Sequence, residues 1–335
     1  MTKITVIVPC YNEQATISLL LNALYHQSYP RSELEVVIAD GMSTDRTREL
    51  INVFQINHPD MSIQVIDNQA RIIPAGLNRA IEAARGEFII RLDAHSIPDC
   101  DYIHHCINAL ESGKGDNVGG KWDIQPGDNS WLAESIAVAA SHPLGVGDAL
   151  YRLGGKAGAV DTVPFGAFKR ELIQRIGFFN ESLHTNEDYE FNVRIRQIGG
   201  IVWFDPAIRS TYFARSNLRS LAQQYWRYGY WKAHMLRKNP TSIRWRQLLP
   251  PILVFTLIVL AAGSIFSPYL RLLFVIVLGL YLLALLFVGL QMSMKKGRIY
   301  HILGLPLAIA TMHIAWGSAF IWGYLNWVRA DENSR

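Results

Sequence analysis

The chain is short of charge. Asp, Glu, Lys and Arg make up 18% of its 335 residues, against roughly 25% in soluble domains. Three stretches contain none of them: Leu248–Phe266, Leu272–Met292 and Ile302–Trp322. Cysteine is scarce too. Cys10, Cys100 and Cys106 show no CxxC or Cys/His spacing, which excludes a disulfide scaffold and reads as free thiols of a reducing compartment. No G-x-G-x-x-G follows the first β-branched run and no G-x-x-x-x-G-K-[ST] occurs anywhere, so the dinucleotide and P-loop readings fail. With 50% hydrophobic residues, collagen and a disordered tail are excluded as well. No charged-then-apolar leader opens the chain, because Ile4–Pro9 is far too short for one.

What is present is unevenly placed. Residues 1–205 carry 17 basic and 26 acidic side chains, a net of −9. Residues 206–250 carry nine basic side chains and no acidic one, and residues 251–335 carry six basic and two acidic. A mean hydropathy of +0.11 and a net charge of +4 therefore average an acidic globular part, a basic collar and an apolar end. The order of the charges argues against a nucleic-acid partner read from the pI.

Each charge-free stretch has 19 to 21 residues, the length an α-helix of about 20 residues needs to cross a ~30 Å hydrocarbon core. Buried core helices of a large soluble protein are the competing reading, and three in succession disfavour it. Pro250 and Pro251 mark a kink or an interfacial start to the first span, and His313 in the third is expected at a helix contact. The collar precedes the first span, and Lys295, Lys296 and Arg298 lie between the second and third. With three crossings both basic segments share a side, which the positive-inside rule makes cytoplasmic. The expectation is a multi-pass protein of the inner (cytoplasmic) membrane. Residues 1–205 form a cytoplasmic domain, 206–247 an interfacial collar, 248–328 three membrane helices (about 248–266, 272–292 and 302–322) and 329–335 a short tail.

Within residues 1–205, short apolar runs alternate with helical patterns. Strands are expected at Ile4–Pro9, Glu35–Ala39, Ser62–Ile66 and Glu87–Leu92. Helices are expected after Asn12 as cap, with Ile17, Leu20, Leu21 and Leu24 on the apolar side, at Thr44–Phe54 capped by Thr44 or Ser43, and at Ala75–Ala84 with Pro74 in the first turn. That alternation argues an α/β fold, a mostly parallel sheet with helices on both faces. In such sheets ligands bind beyond the carboxyl ends of the strands. The first strand delivers Pro9-Cys-Tyr-Asn-Glu13 there, the second Asp40-Gly-Met-Ser-Thr-Asp45 and the fourth Asp93-Ala-His95. Taken singly, Asp45 reads as a helix cap and Glu13 as a first-turn acid. Together they put a carboxylate on each of three strand ends.

These residues carry a resemblance. Pro9-Cys-Tyr-Asn-Glu13, Asp40-Gly-Met-Ser-Thr-Asp-Arg-Thr47, Gly76-Leu-Asn78, Ala84-Arg-Gly-Glu87 with Leu92-Asp-Ala-His95, and Asn186-Glu-Asp188 resemble, in order and spacing over about residues 4–205, the motifs of family 2 glycosyltransferases of the GT-A fold. The resemblance is strongest to bacterial membrane-anchored enzymes of the succinoglycan glucosyltransferase type, through Asp-Ala-His and the hydrophobic C-terminal spans. It implies an inverting transferase of nucleotide-diphosphate sugars, UDP-sugars favoured. In that family Asp40 contacts the nucleobase and Asp93 the ribose or diphosphate. Tyr11 is placed to stack on the base, and Pro9 and Glu13 to shape the same pocket. Arg71 lies in the segment that approaches the donor phosphates, or is an ordinary surface arginine.

The family pattern is Asp-x-Asp, with the last residue a metal ligand, and here that position is His95. Asp93 and His95, two apart in a turn, can face one divalent cation. An imidazole ligand favours Mn²⁺ over Mg²⁺. Asp188 is the expected general base, at the mouth of the helical pattern Tyr189–Gln197, with Glu187 beside it. Gln223-Gln-Tyr-Trp-Arg-Tyr-Gly229 loosely resembles the Gln-x-x-Arg-Trp element of processive relatives, departing in placing Trp226 before Arg227. Those two either reach the acceptor or diphosphate or belong to an interfacial aromatic helix.

The partners implied are a nucleotide-sugar donor, a polyprenyl-diphosphate-linked glycan acceptor, membrane lipids and other polysaccharide-assembly proteins. The alternatives are a polyprenyl-phosphate sugar synthase and a non-catalytic membrane scaffold that binds nucleotide-sugar.

Overall fold

The computed structural model describes residues 2–332; of the tail expected at 329–335, residues 333–335 lie outside the described residues. The described residues divide into two compact units. One runs to Asp123 and resumes over Leu150–Tyr212; the other takes Ile124–Ala149 and continues from Phe213.

In the first unit β1 (Ile4–Cys10), α1 (Ile17–Tyr25), β2 (Leu34–Asp40), α2 (Thr47–Asn57), β3 (Ser62–Asp67), α3 (Ile73–Ala83) and β4 (Phe88–Arg91) follow in strict alternation. The chain continues through β5 (Ile97–Pro98), α4 (Tyr102–Glu111) and β6 (Asn117–Gln125), then, after α5 (Trp131–Ala140) and α6 (Pro143–Val146) of the second unit, through α7 (Leu150–Leu153), β7 (Gly158–Ala159), β8 (Ala167–Lys169), α8 (Glu171–Ile176), α9 (Glu187–Gln197) and β9 (Val202–Phe213). The strands form one sheet in the order β3-β2-β1-β4-β8-β6-β9-β5, with β7 on β9. The first four are parallel, and β8 turns antiparallel against β4. β1, β2 and β4 are buried along their whole length, as β-branched runs covered on both faces should be. Ile7, Val37, Leu77, Ile89, Phe168, Phe191 and Phe204 join helix and strand faces in one core.

Two local expectations are corrected. α2 begins at Thr47, not Thr44, and neither Ser43 nor Thr44 caps it. Asn12 does not cap α1, whose flanking residue is Thr16. All three side chains or backbones are engaged instead in a bridge between loops, described below.

In the second unit, α10 (Leu218–Lys238), α11 (Trp245–Gly263), α12 (Pro268–Lys296) and α13 (His301–Glu332) follow β9. Three of them, over Trp245–Gly263, Pro268–Lys296 and His301–Asn326, are long and apolar enough to cross a membrane. α12 leaves Leu272, Val275, Leu283, Phe287 and other large apolar side chains exposed, a surface that suits hydrocarbon and not water. α13 packs against α5, α10, α11 and α12, and Ile136, Leu221, Leu285, Leu305, Ile309 and Met312 form its core.

The first of the three helices runs through Pro250 and Pro251. Pro251 has no N–H to give the carbonyl of Gln247 four residues earlier, and Trp316 of α13 donates its indole N–H to that oxygen at 3.1 Å. Gly317 makes the approach possible, since a side chain there would meet the Pro250 carbonyl. His313 sits at a helix contact as expected, 3.1 Å from the Tyr281 hydroxyl and 2.9 Å from the Leu144 carbonyl oxygen.

Candidate active site

The carboxyl ends of β1 and β2 lie side by side, with Pro9 opposite Ala39 and Cys10 opposite Asp40. Beyond them the two loops are fastened to each other. The Asn12 N–H donates to Ser43 Oγ at 2.8 Å, the Thr44 N–H to Asn12 Oδ1 at 2.9 Å, the Glu13 N–H to Thr47 Oγ1 at 2.8 Å and the Gln14 N–H to Asp45 Oδ2 at 3.1 Å. Asn12 adopts φ 53° to do this, a left-handed conformation that asparagine tolerates better than most residues. This bridging is why Asn12, Ser43 and Thr44 do not cap helices. Tyr11 is half-exposed over Gly41.

Asp40 is fully buried. It accepts from the Ser43 N–H at 3.0 Å, the Ser43 hydroxyl at 2.5 Å and Arg48 Nε at 2.5 Å. Arg48, which sequence reasoning missed, also reaches Asp67 at 2.6 Å. The Asn68 N–H donates to the Asp40 carbonyl, tying in the loop that carries Arg71. Arg71 is exposed, at φ 56°.

β4 supplies the second half of the site. Arg91, at its last position, is buried and was not singled out from the sequence. Its Nη2 contacts Asp93 Oδ1 at 3.2 Å and Glu187 Oε1 at 2.8 Å, and its Nη1 has no partner among the described residues. The available signal was a lone cation closing an apolar strand, Phe-Ile-Ile-Arg. Glu187 and Asp188 open α9, as Asn186 turns into it at φ 69°. Glu187 is 4% exposed, whereas Asp188 is only partly buried and accepts the Tyr189 N–H at 2.7 Å. Burial, reinforced by the neighbouring Asp188 and opposed by Arg91, pushes the Glu187 carboxyl up to about 7. Burial raises Asp188 in the same way, against the pull of Arg91. One cation is thus shared among three acids, Asp93, Glu187 and Asp188.

His95 follows Asp93 by two residues, and its Nδ1 lies 3.1 Å from Glu13 Oε1. Among the described residues no three His, Cys, Asp or Glu side chains gather into a complete metal cage. Asp93 and His95 fit a cation only in part, as an O,N pair that the oxygens of a bound diphosphate would complete. Burial pushes the thiol of Cys10, at the end of β1, up from its ordinary value. Trp226 and Arg227 belong to the second unit, on α10, where both are exposed. The sheet edge therefore brings together Pro9, Tyr11, Glu13, Asp40, Asp93, His95, Glu187 and Asp188.

Residues 5–177 match the model of the family described as Glycosyl transferase family 2. A dolichyl N-acetyl-alpha-D-glucosaminyl phosphate 3-beta-D-2,3-diacetamido-2,3-dideoxy-beta-D-glucuronosyltransferase of Methanococcus voltae is 30% identical over 73% of this chain and 77% of its own length. The succinoglycan biosynthesis protein ExoA of Rhizobium meliloti is 29% identical over 95% of this chain and 94% of its own. Among solved structures, a mannosyltransferase of Pyrobaculum calidifontis, in complex with GDP-Man and Mn²⁺, superposes with a TM-score of 0.66 at 22% identity. It covers 96% of this chain and 87% of its own, and it establishes the GT-A type of fold. With more than half of its length matched and the motifs gathered at one sheet edge, the chain belongs to glycosyl transferase family 2.

Proposed function

We propose that the protein is a metal-dependent, inverting glycosyltransferase. It moves a sugar from a nucleotide-diphosphate donor, with UDP-sugars the first candidates, to a hydroxyl of a lipid-linked glycan at the cytoplasmic membrane face, as a step toward an exopolysaccharide. The observation that carries this reading is the buried Arg91 joining Asp93 to Glu187 beside Asp188. It supports a donor end and an acceptor end in one site.

In this reading Asp40 and Tyr11 hold the base, and Asp93 and His95 hold the cation. When bound, a divalent cation supplies Lewis-acid neutralisation of the departing diphosphate. The acceptor hydroxyl oxygen attacks the anomeric carbon from the face opposite the diphosphate, and the sugar–phosphate C–O bond breaks. Asp188 takes the hydroxyl proton. It is the more accessible of the two acids, and a carboxylate lifted toward neutrality is a better base than an ordinary one. Glu187, paired with Arg91, keeps the loop in place.

Two observations support a lipid-linked acceptor at a membrane, the dolichyl phosphate named for the Methanococcus relative and the three apolar helices; succinoglycan biosynthesis, named for the Rhizobium relative, supports the step toward an exopolysaccharide. The chemistry is tested by transfer of labelled sugar into lipid extracts with and without chelator. Chelation should abolish transfer and Mn²⁺ restore it; full activity in excess chelator would sink the metal assignment. The placement is tested by fusions of a reporter that works only outside the cell. It should be active after Arg335 and silent after Lys296; the reverse pattern would contradict cytoplasmic placement of the site.

A further inference from the structure

Glu13 stands on the first strand loop and His95 on the fourth, 82 residues apart in sequence. Both ends of the Glu13 carboxylate are engaged. Oε2 accepts the Thr16 hydroxyl at 2.5 Å, and Oε1 faces His95 Nδ1 at 3.1 Å. The backbone beneath is pinned as well. The Glu13 N–H donates to Thr47 Oγ1, and that hydroxyl donates in turn to Asp45 Oδ1 at 2.5 Å. The glutamate is thus held from the second strand's loop while it holds the histidine of the fourth.

A carboxylate on Nδ1 has a definite consequence for an imidazole. With Nδ1–H donating to the carboxylate, a neutral ring carries its lone pair on Nε2, and the contact sets the ring plane. Metal-ligating histidines are commonly held in this way, and loss of the outer partner typically costs about 10–100-fold in metal affinity. We propose that Glu13, besides its expected place in the donor pocket, is the positioning residue of the cation site, acting through His95 and not as a ligand of the cation. The bridge also links the loops that carry the donor pocket to the cation pair. The inference rests on the reading of His95 as a ligand.

The test uses the full chain in detergent micelles, with the free Mn²⁺ signal followed by electron paramagnetic resonance in saturating UDP and, in a second series, GDP. Wild type should take up Mn²⁺ in at least one series. Glu13→Ala should raise the Mn²⁺ Kd by about 10–100-fold at saturating nucleotide. Glu13→Gln should stay near wild type, because its amide oxygen still accepts from Nδ1–H. His95→Ala should weaken Mn²⁺ binding by itself, and adding Glu13→Ala to it should weaken it no further, the full coupling expected of two residues acting through one contact.

If wild type takes up no Mn²⁺, the cation reading and this inference fall together. If His95→Ala weakens Mn²⁺ binding and Glu13→Ala does not, the cation reading stands and the inference falls. A fall in Glu13→Gln as deep as in Glu13→Ala would make Glu13 a direct ligand and overturn the inference, as would additive losses in the double variant.

Discussion

Asp188→Asn should leave the protein folded and its donor binding nearly intact while transfer falls by about 10²–10⁴-fold, the usual contribution of a general base. Asparagine keeps the shape and can still accept the Tyr189 N–H, which now closes on Asp188 Oδ1 at 2.7 Å. It cannot take a proton. The loss should therefore appear in turnover and not in donor affinity, because Asp40, Asp93 and His95 are untouched. Because burial raises Asp188 and Glu187 alike, wild-type turnover should climb with pH through neutrality as the pair sheds its proton. Initial rates against pH, together with donor titration of the variant, check both points. An undiminished rate in Asp188→Asn would move the base elsewhere, with Glu187 next in line.

Arg91→Met should have the second large effect, on stability as much as on activity. Arg91 is 4% exposed and Glu187 equally so. Removing one member of a buried ion pair costs about 3–5 kcal/mol, because the remaining charge is left uncompensated. The deficit should depend on pH, with a definite sign. Arg91 holds Glu187 and Asp188 down against burial, so without it their folded pKa values rise further. An acid whose folded pKa is raised adds stability below its unfolded value, roughly 4 for these acids, and that stability is lost as pH rises through the folded value. The gap between wild type and Arg91→Met in thermal unfolding should therefore widen from pH 5 to pH 8. A gap of equal size at both pH values would mean that Arg91 acts through packing alone. Arg91→Lys should recover little, since an ammonium cannot reproduce the guanidinium edge that puts Nε and Nη2 on Asp93 while Nη2 also reaches Glu187.

The parallel half of the sheet was legible because β1, β2 and β4 are apolar runs buried on both faces, and the turn residues after them sit where the site must form. The three apolar helices were legible for a similar reason, as uncharged stretches of about the length a membrane crossing needs. β5 and β7 have two residues each and β8 three, too few to show a period. The segment Ile124–Ala149 reads in sequence as part of the acidic domain, and only packing reveals that the apolar face of α5, at Ile136 and its neighbours, meets α13.

Within the site, the acids could be read from motifs but their partners could not. Arg91 meets Glu187 across 96 residues and His95 meets Glu13 across 82, and no local spacing encodes either pair. Asn12 misled as a cap because asparagine suits helix starts and left-handed turns equally well. Only the sheet register, which places the β1 and β2 loops together, decides between them.

The most direct test of the account is transfer itself. Membranes containing the protein are incubated with a panel of labelled UDP- and GDP-sugars, and lipid-linked products are extracted. The account predicts label in the lipid fraction from at least one donor, lost with chelator, restored by Mn²⁺ and reduced to a trace in Asp188→Asn. Donor binding by the wild-type protein with no label in any acceptor fraction would contradict it, and would leave a membrane protein that holds a nucleotide-sugar without transferring it.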